Sequence, residues 1–185
     1  HIEEEGPESL KLALDSGHLT MTTGHDVLSD CSTIIITIGT PVDEHLNPVT
    51  YPIEELFDEL ADIIQPGQML MLRSTVAPGT TDQLRSILEK RTKFRVGEDI
   101  DLVFAPERTA EGRVITELRT LPQMIGTYDE TSFERARILF ERISKGAIIR
   151  LTPTEAEIGK LISNMTRYVT FALANEYHLI GNSFD

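Results

Sequence analysis

Short uncharged runs alternate along this chain with longer amphipathic ones. Thr33 to Ile38 reads Thr-Ile-Ile-Ile-Thr-Ile, rich in β-branched residues and without a charge. Such a run suits a strand covered on both faces, as in a parallel sheet. Met69 to Leu72, Ile100 to Phe104, Gln123 to Gly126 and Ala147 to Leu151 give further strands, and Leu19 to Thr22 a brief one. Between them, Pro52 to Ile64 places Ile53, Leu56, Leu60, Ile63 and Ile64 on one side of a helix. Pro52 suits its first turn and Pro66-Gly67 ends it. The pattern predicts other helices over Pro7 to Gly17, from Pro78-Gly79 through Arg91, and over Ser132 to Ser144. Glu107 to Leu121 reads as loop with a short helix inside it. Thr152-Pro153-Thr154-Glu155 starts a long helix running to about His178. Thr152 or Thr154 caps it, and Glu155 and Glu157 suit the positive end of its dipole.

Alternating strands and helices up to residue 151 argue for an α/β fold, a doubly wound, mostly parallel sheet. The long last helix breaks the alternation. Residues 1–151 are therefore expected to form the sheet unit, and 152–185 to begin something else. The chain carries no internal repeat and no low-complexity segment.

In open α/β sheets, ligands bind outside the carboxyl ends of the strands. Three strand ends here carry chemistry-bearing residues: Thr40, Thr75 and Glu107 are delivered toward one crevice. Gly39-Thr40-Pro41 lets the backbone approach a ligand and offers a hydroxyl, although alone it reads as an ordinary turn. Ser74-Thr75-Val76-Ala77-Pro78-Gly79-Thr80-Thr81 joins a strand to a helix start that could hold an anion or a water molecule. Capping by Thr80 or Thr81 is the plainer reading of that turn. Glu107 and Glu111 flank Arg108. Glu107, directly after a strand, is a candidate general base, and a surface ion pair is the bland alternative. Lys160, Asn164 and Arg167 share one helix face. A solvated stripe is the usual outcome for such residues, but with apolar residues over more than half of the circumference they read as an ammonium and an amide offered to a developing oxyanion. Cys31 precedes its strand, at the wrong edge for catalysis, and reads as a small buried residue. The histidines show no metal-ligand spacing, and Arg73, Arg85, Arg91 and Arg95 make no basic patch.

The chain has 185 residues, 40% of them hydrophobic, and a formal net charge of −13. That balance opposes nonspecific nucleic-acid binding, and an anionic ligand must be met by local cations or backbone donors. A single cysteine excludes an intrachain disulfide and a cysteine-based zinc site and fits a cytoplasmic location. No run has transmembrane length and there is no signal peptide, so no membrane partner is expected. The chain opens on His1 without a methionine, which leads to the expectation that the natural protein begins earlier.

Taken together, Ile36-Thr37-Ile38-Gly39-Thr40-Pro41-Val42-Asp43, Arg73 to Thr81, Phe104 to Gly112 and Glu155 to Asn164 resemble the UDP-glucose/GDP-mannose dehydrogenase family, the nucleotide-sugar 6-dehydrogenases. The resemblance covers nearly the whole chain. The Val42 to Pro48 loop looks like the branch acting on UDP-N-acetylhexosamines. The resemblance implies an enzyme oxidising a sugar C6 alcohol to the uronic acid, with NAD as hydride acceptor and a cysteine-bound thiohemiacetal and thioester. It also implies polysaccharide precursor synthesis. Carried over, the catalytic residues are Thr75 orienting water, Glu107 as base for hydrolysis, and Lys160 and Asn164 stabilising oxyanions. Gly39, Thr40, Pro41, Ser74, Thr75 and Glu111 would lie against NAD. Glu107, Arg108, Lys160, Asn164 and Arg167 would meet the UDP-sugar. No metal is implied.

Two departures stand out. Nothing matches Gly-x-Gly-x-x-Gly, and Cys31 cannot replace the family's nucleophilic cysteine, expected in a loop beyond the long helix. The chain is therefore expected to be an internal fragment: an incomplete Rossmann-type NAD-binding domain followed by the start of the central helical, dimerising domain. Alone it is expected to be inactive. Two alternatives stay open: a β-hydroxyacid-type dehydrogenase, whose chemistry needs no cysteine, and a non-catalytic oligomerisation module.

Overall fold

The computed structural model describes residues 6–45, 47–110 and 112–184. After α1 (Gly6–Asp15) and a 3-10 turn over Asp26–Asp30 come β1 (Thr33–Ile36), α2 (Tyr51–Leu60), β2 (Met69–Leu72), α3 (Thr80–Thr92) and β3 (Asp101–Phe104). They are followed by α4 (Val114–Thr120), β4 (Gln123–Gly126), α5 (Glu130–Glu141), β5 (Ile148–Leu151) and α6 (Pro153–Asn182). The brief strand expected at Leu19 to Thr22 is irregular backbone: among the described residues it pairs with no strand, so these four residues have no ladder to join.

The five strands lie in sequence order. β1, β2 and β3 are parallel, β4 runs antiparallel to β3, and β5 is parallel to β4. Side chains alternate between the two sheet faces. Ile34, Ile36, Leu70, Leu72, Leu102 and Phe104 pack with Ile53, Phe57 and Leu60 of α2 and Leu84 and Leu88 of α3. On the other face, Met69, Met71, Val103, Ala105 and Ile125 pack with Phe133, Ala136 and Phe140 of α5. The change of face follows from the reversal at β4: a right-handed crossover sends its helix to the opposite side once strand direction inverts.

β4 meets β3 at a single register pair, Phe104 with Gly126. Its amino end therefore projects past the carboxyl end of β3 and walls the crevice there. α6 starts at a capping box: the Glu155 N–H donates to Thr152 Oγ1 at 3.3 Å, and the Thr152 N–H to Glu155 Oε2 at 2.8 Å. Its first turns bury Pro153, Ala156, Glu157 and Lys160 against the sheet. Farther along, Met165, Val169, Phe171 and Leu173 are exposed.

Candidate functional site at the carboxyl edge of the sheet

The loops leaving β1, β2 and β3 continue side by side beyond the strands. The Arg73 N–H donates to Ile36 O at 2.9 Å, and the Glu107 N–H to Arg73 O at 3.3 Å. Two hydroxyls fasten the first loop to the second: Ser74 Oγ donates to Ile38 O at 2.7 Å, and Thr40 Oγ1 donates to Thr75 O. Thr40 and Ser74 thus spend their protons on the protein and keep their lone pairs for a ligand. A Cβ on Gly39 would meet nothing within 4 Å, so open space lies over that residue.

Beside Leu161 of α6 these loops form a cavity of about 240 Å³ walled by Pro41, Val42, Val49, Ile53 and Val76, with Thr40, Thr50, Thr75 and Thr80 as polar members. A second cavity, of about 320 Å³, is lined by Arg108, Glu117, Lys160, Ser163, Asn164 and Arg167, among others. The helical spacing of Lys160, Asn164 and Arg167 therefore does bring them together. Thr75, however, lies in the first cavity and not with them. Consecutive residues of α6 line the two cavities, Leu161 the first and Lys160 the second.

Glu107 lines neither cavity. Its Oε1 accepts the N–H groups of Arg108 at 2.7 Å and Thr109 at 2.8 Å, and its Oε2 pairs with Arg73. Burial raises the pKa of this carboxyl, but the Thr109 N–H and the Arg73 guanidinium together outweigh burial and hold it below the usual range. Glu107 is therefore ionised at neutral pH. Lys160 is 9% exposed and donates to the main-chain oxygen of Glu107. Burial lowers its pKa; attraction to Glu107 opposes this, and repulsion from Arg167, Arg108 and Arg73 adds to it.

The helix start after Ser74 to Pro78 is not a free anion site. Gly79 sits at the α3 N-cap with φ 90°, a left-handed conformation natural to glycine. The Gly79 N–H donates to Glu157 Oε2 at 2.6 Å. Thr81 gives both its N–H, at 2.7 Å, and its hydroxyl, at 2.6 Å, to Glu157 Oε1. The anion at this terminus is thus the chain's own fully buried Glu157, reaching from α6. Neither Thr80 nor Thr81 is the cap, and Glu157 does not serve its own helix dipole.

Arg73 also escaped the sequence reading. Its side chain is 11% exposed, pairs with Glu107 and lies 5.2 Å from the Phe140 ring centroid. Its place directly after a buried strand was the available signal. Cys31 is half-buried at the opposite end of β1, with Sγ donating to Val27 O at 3.4 Å. Glu111 lies outside the described residues. Among those described, no group of His, Cys, Asp or Glu could hold a metal ion, and no helix is long and apolar enough to cross a membrane.

Comparison with known proteins agrees with this layout. A UDP-N-acetyl-D-mannosamine dehydrogenase of Pyrococcus horikoshii is 33% identical over 183 residues, covering 99% of this chain and 44% of that relative. The chain thus spans under half the length of the curated relatives it matches. A solved structure of UDP-D-ManNAc dehydrogenase from Pyrococcus horikoshii superposes with a TM-score of 0.90 at 33% identity, over 97% of this chain and 43% of that one. A ternary complex of GDP-mannose dehydrogenase from Pseudomonas aeruginosa gives a TM-score of 0.86 at 25% identity, over 94% and 41%. Residues 1–144 match the NAD binding domain of the UDP-glucose/GDP-mannose dehydrogenase family, and the chain belongs to that family.

Proposed function

We propose that this chain supplies the cofactor side and the proton-handling groups of an NAD-dependent nucleotide-sugar 6-dehydrogenase acting on a UDP-N-acetylhexosamine. The observation that carries the reading is the buried Lys160, on one cavity with Asn164, bonded to the strand-end carbonyl of Glu107 and adjoining a mostly apolar cavity. The sugar class follows the names of the relatives, several of which are UDP-N-acetyl-D-mannosamine dehydrogenases.

The apolar cavity fits a planar ring, with the Thr40 and Thr75 oxygens at its polar rim. The amino end of α3 does not fit a phosphate, because Glu157 already occupies it. Gly39, Thr40, Pro41, Ser74 and Thr75 would thus meet the ring end of NAD. When bound, NAD supplies the hydride acceptor.

In this reading the C6 oxygen of the sugar faces Lys160 and Asn164. A lysine with a lowered pKa is closer to neutral and better able to take the alcohol proton. Asn164 donates its amide N–H groups to an oxyanion. Glu107, kept ionised by Arg73 and Thr109, is in the form that accepts a proton from water, and Thr75 orients that water. Arg108 and Arg167 meet the substrate from the far wall. Cys31, at the opposite edge, serves no covalent step.

This places two demands on experiment. NAD should bind, and Thr75→Val should weaken it about tenfold; an affinity unchanged by that substitution contradicts the cofactor assignment. The 185-residue chain mixed with NAD and UDP-N-acetyl-D-mannosamine should form no NADH. Sustained NADH formation would show that these residues suffice for the whole oxidation.

A second reading coexists with the first. Exposed Met165, Val169, Phe171 and Leu173 on α6 favour self-association through that helix, consistent with residues 152–185 opening a dimerising unit. Sizing chromatography should give a dimer, and Phe171→Asp a monomer.

A further inference from the structure

The apolar cavity takes Pro41, Val42, Pro48, Val49 and Thr50 from the single loop that joins β1 to α2. None of these lines the cavity that holds Lys160. Val42 is 56% exposed, apolar surface that a ring in the cavity would cover. The two flanks of the loop meet in an antiparallel bridge between Val42 and Pro48. Pro41 and Pro48 carry no N–H, so neither can donate across it. Two main-chain bonds join the flanks: the Val49 N–H to Pro41 O at 3.0 Å and the Asp43 N–H to Asn47 O at 2.9 Å. So short a pairing is marginal in water. The Asp43 carboxylate supplies the rest. Its Oδ1 accepts the N–H groups of His45 and Asn47, both at 2.8 Å, and its Oδ2 accepts Asn47 Nδ2 at 3.0 Å. These donors, the Asn47 N–H foremost, hold its pKa below the usual carboxylate range. Asp43 is exposed and lines neither cavity.

We propose that Asp43 is a positioning residue for the apolar cavity: its carboxylate clips the two flanks of the β1–α2 loop together and so fixes where Val42 and Val49 stand against a planar ring. The inference deepens the proposed function and rests on this cavity taking the ring end of NAD. At one end the loop is fastened by the Thr40 hydroxyl to Thr75 O, and at the other it runs into α2, where Ile53 is buried. Between those ends, among the described residues, the hydrogen bonds of Pro41 to Val49 stay within the loop. Without the carboxylate the flanks part and the walls lose their fixed spacing. A ligand must then order them as it binds, which costs affinity. Asp43 touches no reacting atom and acts through the two valines.

The test measures amide exchange and ligand affinity on the 185-residue chain, with NAD and indole as separate probes. In Asp43→Ala the Val49 N–H should exchange at least tenfold faster, and NAD and indole should each bind about tenfold more weakly. The melting temperature should hold, since Asp43 is exposed and outside the core. Asp43→Asn keeps an oxygen for the two N–H groups and should restore most of the affinity. Glu44→Ala, at the exposed neighbouring position, should match the wild type. Unchanged Val49 exchange in Asp43→Ala overturns the clip. Faster exchange with both affinities unchanged overturns the positioning role. Indole bound by the wild type and weakened in Asp43→Ala, with no binding of NAD, sinks the cofactor reading and leaves the positioning role standing. A wild type that binds neither probe overturns both.

Discussion

At the scale of single residues, the site is governed by how two opposite charges are held. Glu107 is an acid kept ionised by an arginine and backbone N–H groups, and Lys160 is a base pushed toward neutrality by burial. The two have opposite consequences for stability. The pKa of Glu107 lies below its unfolded value near 4.5, so the unfolded chain binds more protons there in acid. Its stabilisation is complete above about pH 4.5 and is lost as pH falls through the folded value. Thermal melts from neutral pH down to pH 3 should show this loss in the wild type and a shallower one in Glu107→Gln. An equal slope in both would place the acid sensitivity elsewhere. The pKa of Lys160 is also lowered, so stability again rises with pH, here as pH approaches 10.5; but its charged form is less favourable folded than unfolded, so at neutral pH Lys160 costs stability where Glu107 adds it. The grouping of Lys160, Asn164 and Arg167 was legible in the sequence because helical periodicity alone puts them on one face. The partnership of Arg73 with Glu107 was not, because it joins the ends of two strands and depends on their parallel register.

At the scale of elements, the decisive contact is Glu157 of α6 at the start of α3. It satisfies two backbone N–H groups and a hydroxyl while fully buried. Hydrogen bonds to charged groups contribute about 1.5–3 kcal/mol each, and removing one partner leaves the donors unpaired. Glu157→Ala should therefore destabilise the fold by about 3 kcal/mol, measured by urea denaturation. Loss of under about 1 kcal/mol would mean that water replaces the carboxylate at little cost. The close packing of α6 on β4 gives a second check. A Cβ on Gly126 would lie 2.8 Å from Pro153 Cα and 3.0 Å from Ala156 Cβ, so the helix must move outward. Gly126→Ala should cost about 1–3 kcal/mol and weaken any ligand that touches Lys160. The existence of β1 to β5 and of the main helices could be read from apolar period and turn residues. The Thr152 cap was among the options the sequence offered. The role of Glu157 could not be read, since an acid in a first turn looks like dipole complement until the neighbouring helix is in place. Strand limits moved for a similar reason: Ile38 continues the apolar run, but the ladder with β2 ends at Ile36.

At the scale of the whole molecule, strand direction organises the function. Parallel β1, β2 and β3 point their carboxyl ends the same way, β4 reverses and walls that edge, and α6 crosses it. The alternating pattern announced a mostly parallel sheet but not which strand would turn back; the reversal lies in the Glu107 to Leu121 connection, which carries only the short α4. Two neighbouring cavities result, one mostly apolar and one cationic, divided by consecutive residues of a single helix. The account stands on these cavities being where cofactor and sugar meet. Residue-resolved NMR of the chain, titrated with NAD and then with UDP-N-acetyl-D-mannosamine, tests that directly. The predicted result is that NAD shifts the amides of Thr40, Thr75 and Val76, and the nucleotide sugar those of Arg108, Lys160 and Asn164. Largest shifts around Cys31, Gln68 and Asp101 at the opposite edge, or none at saturating concentrations, would contradict it.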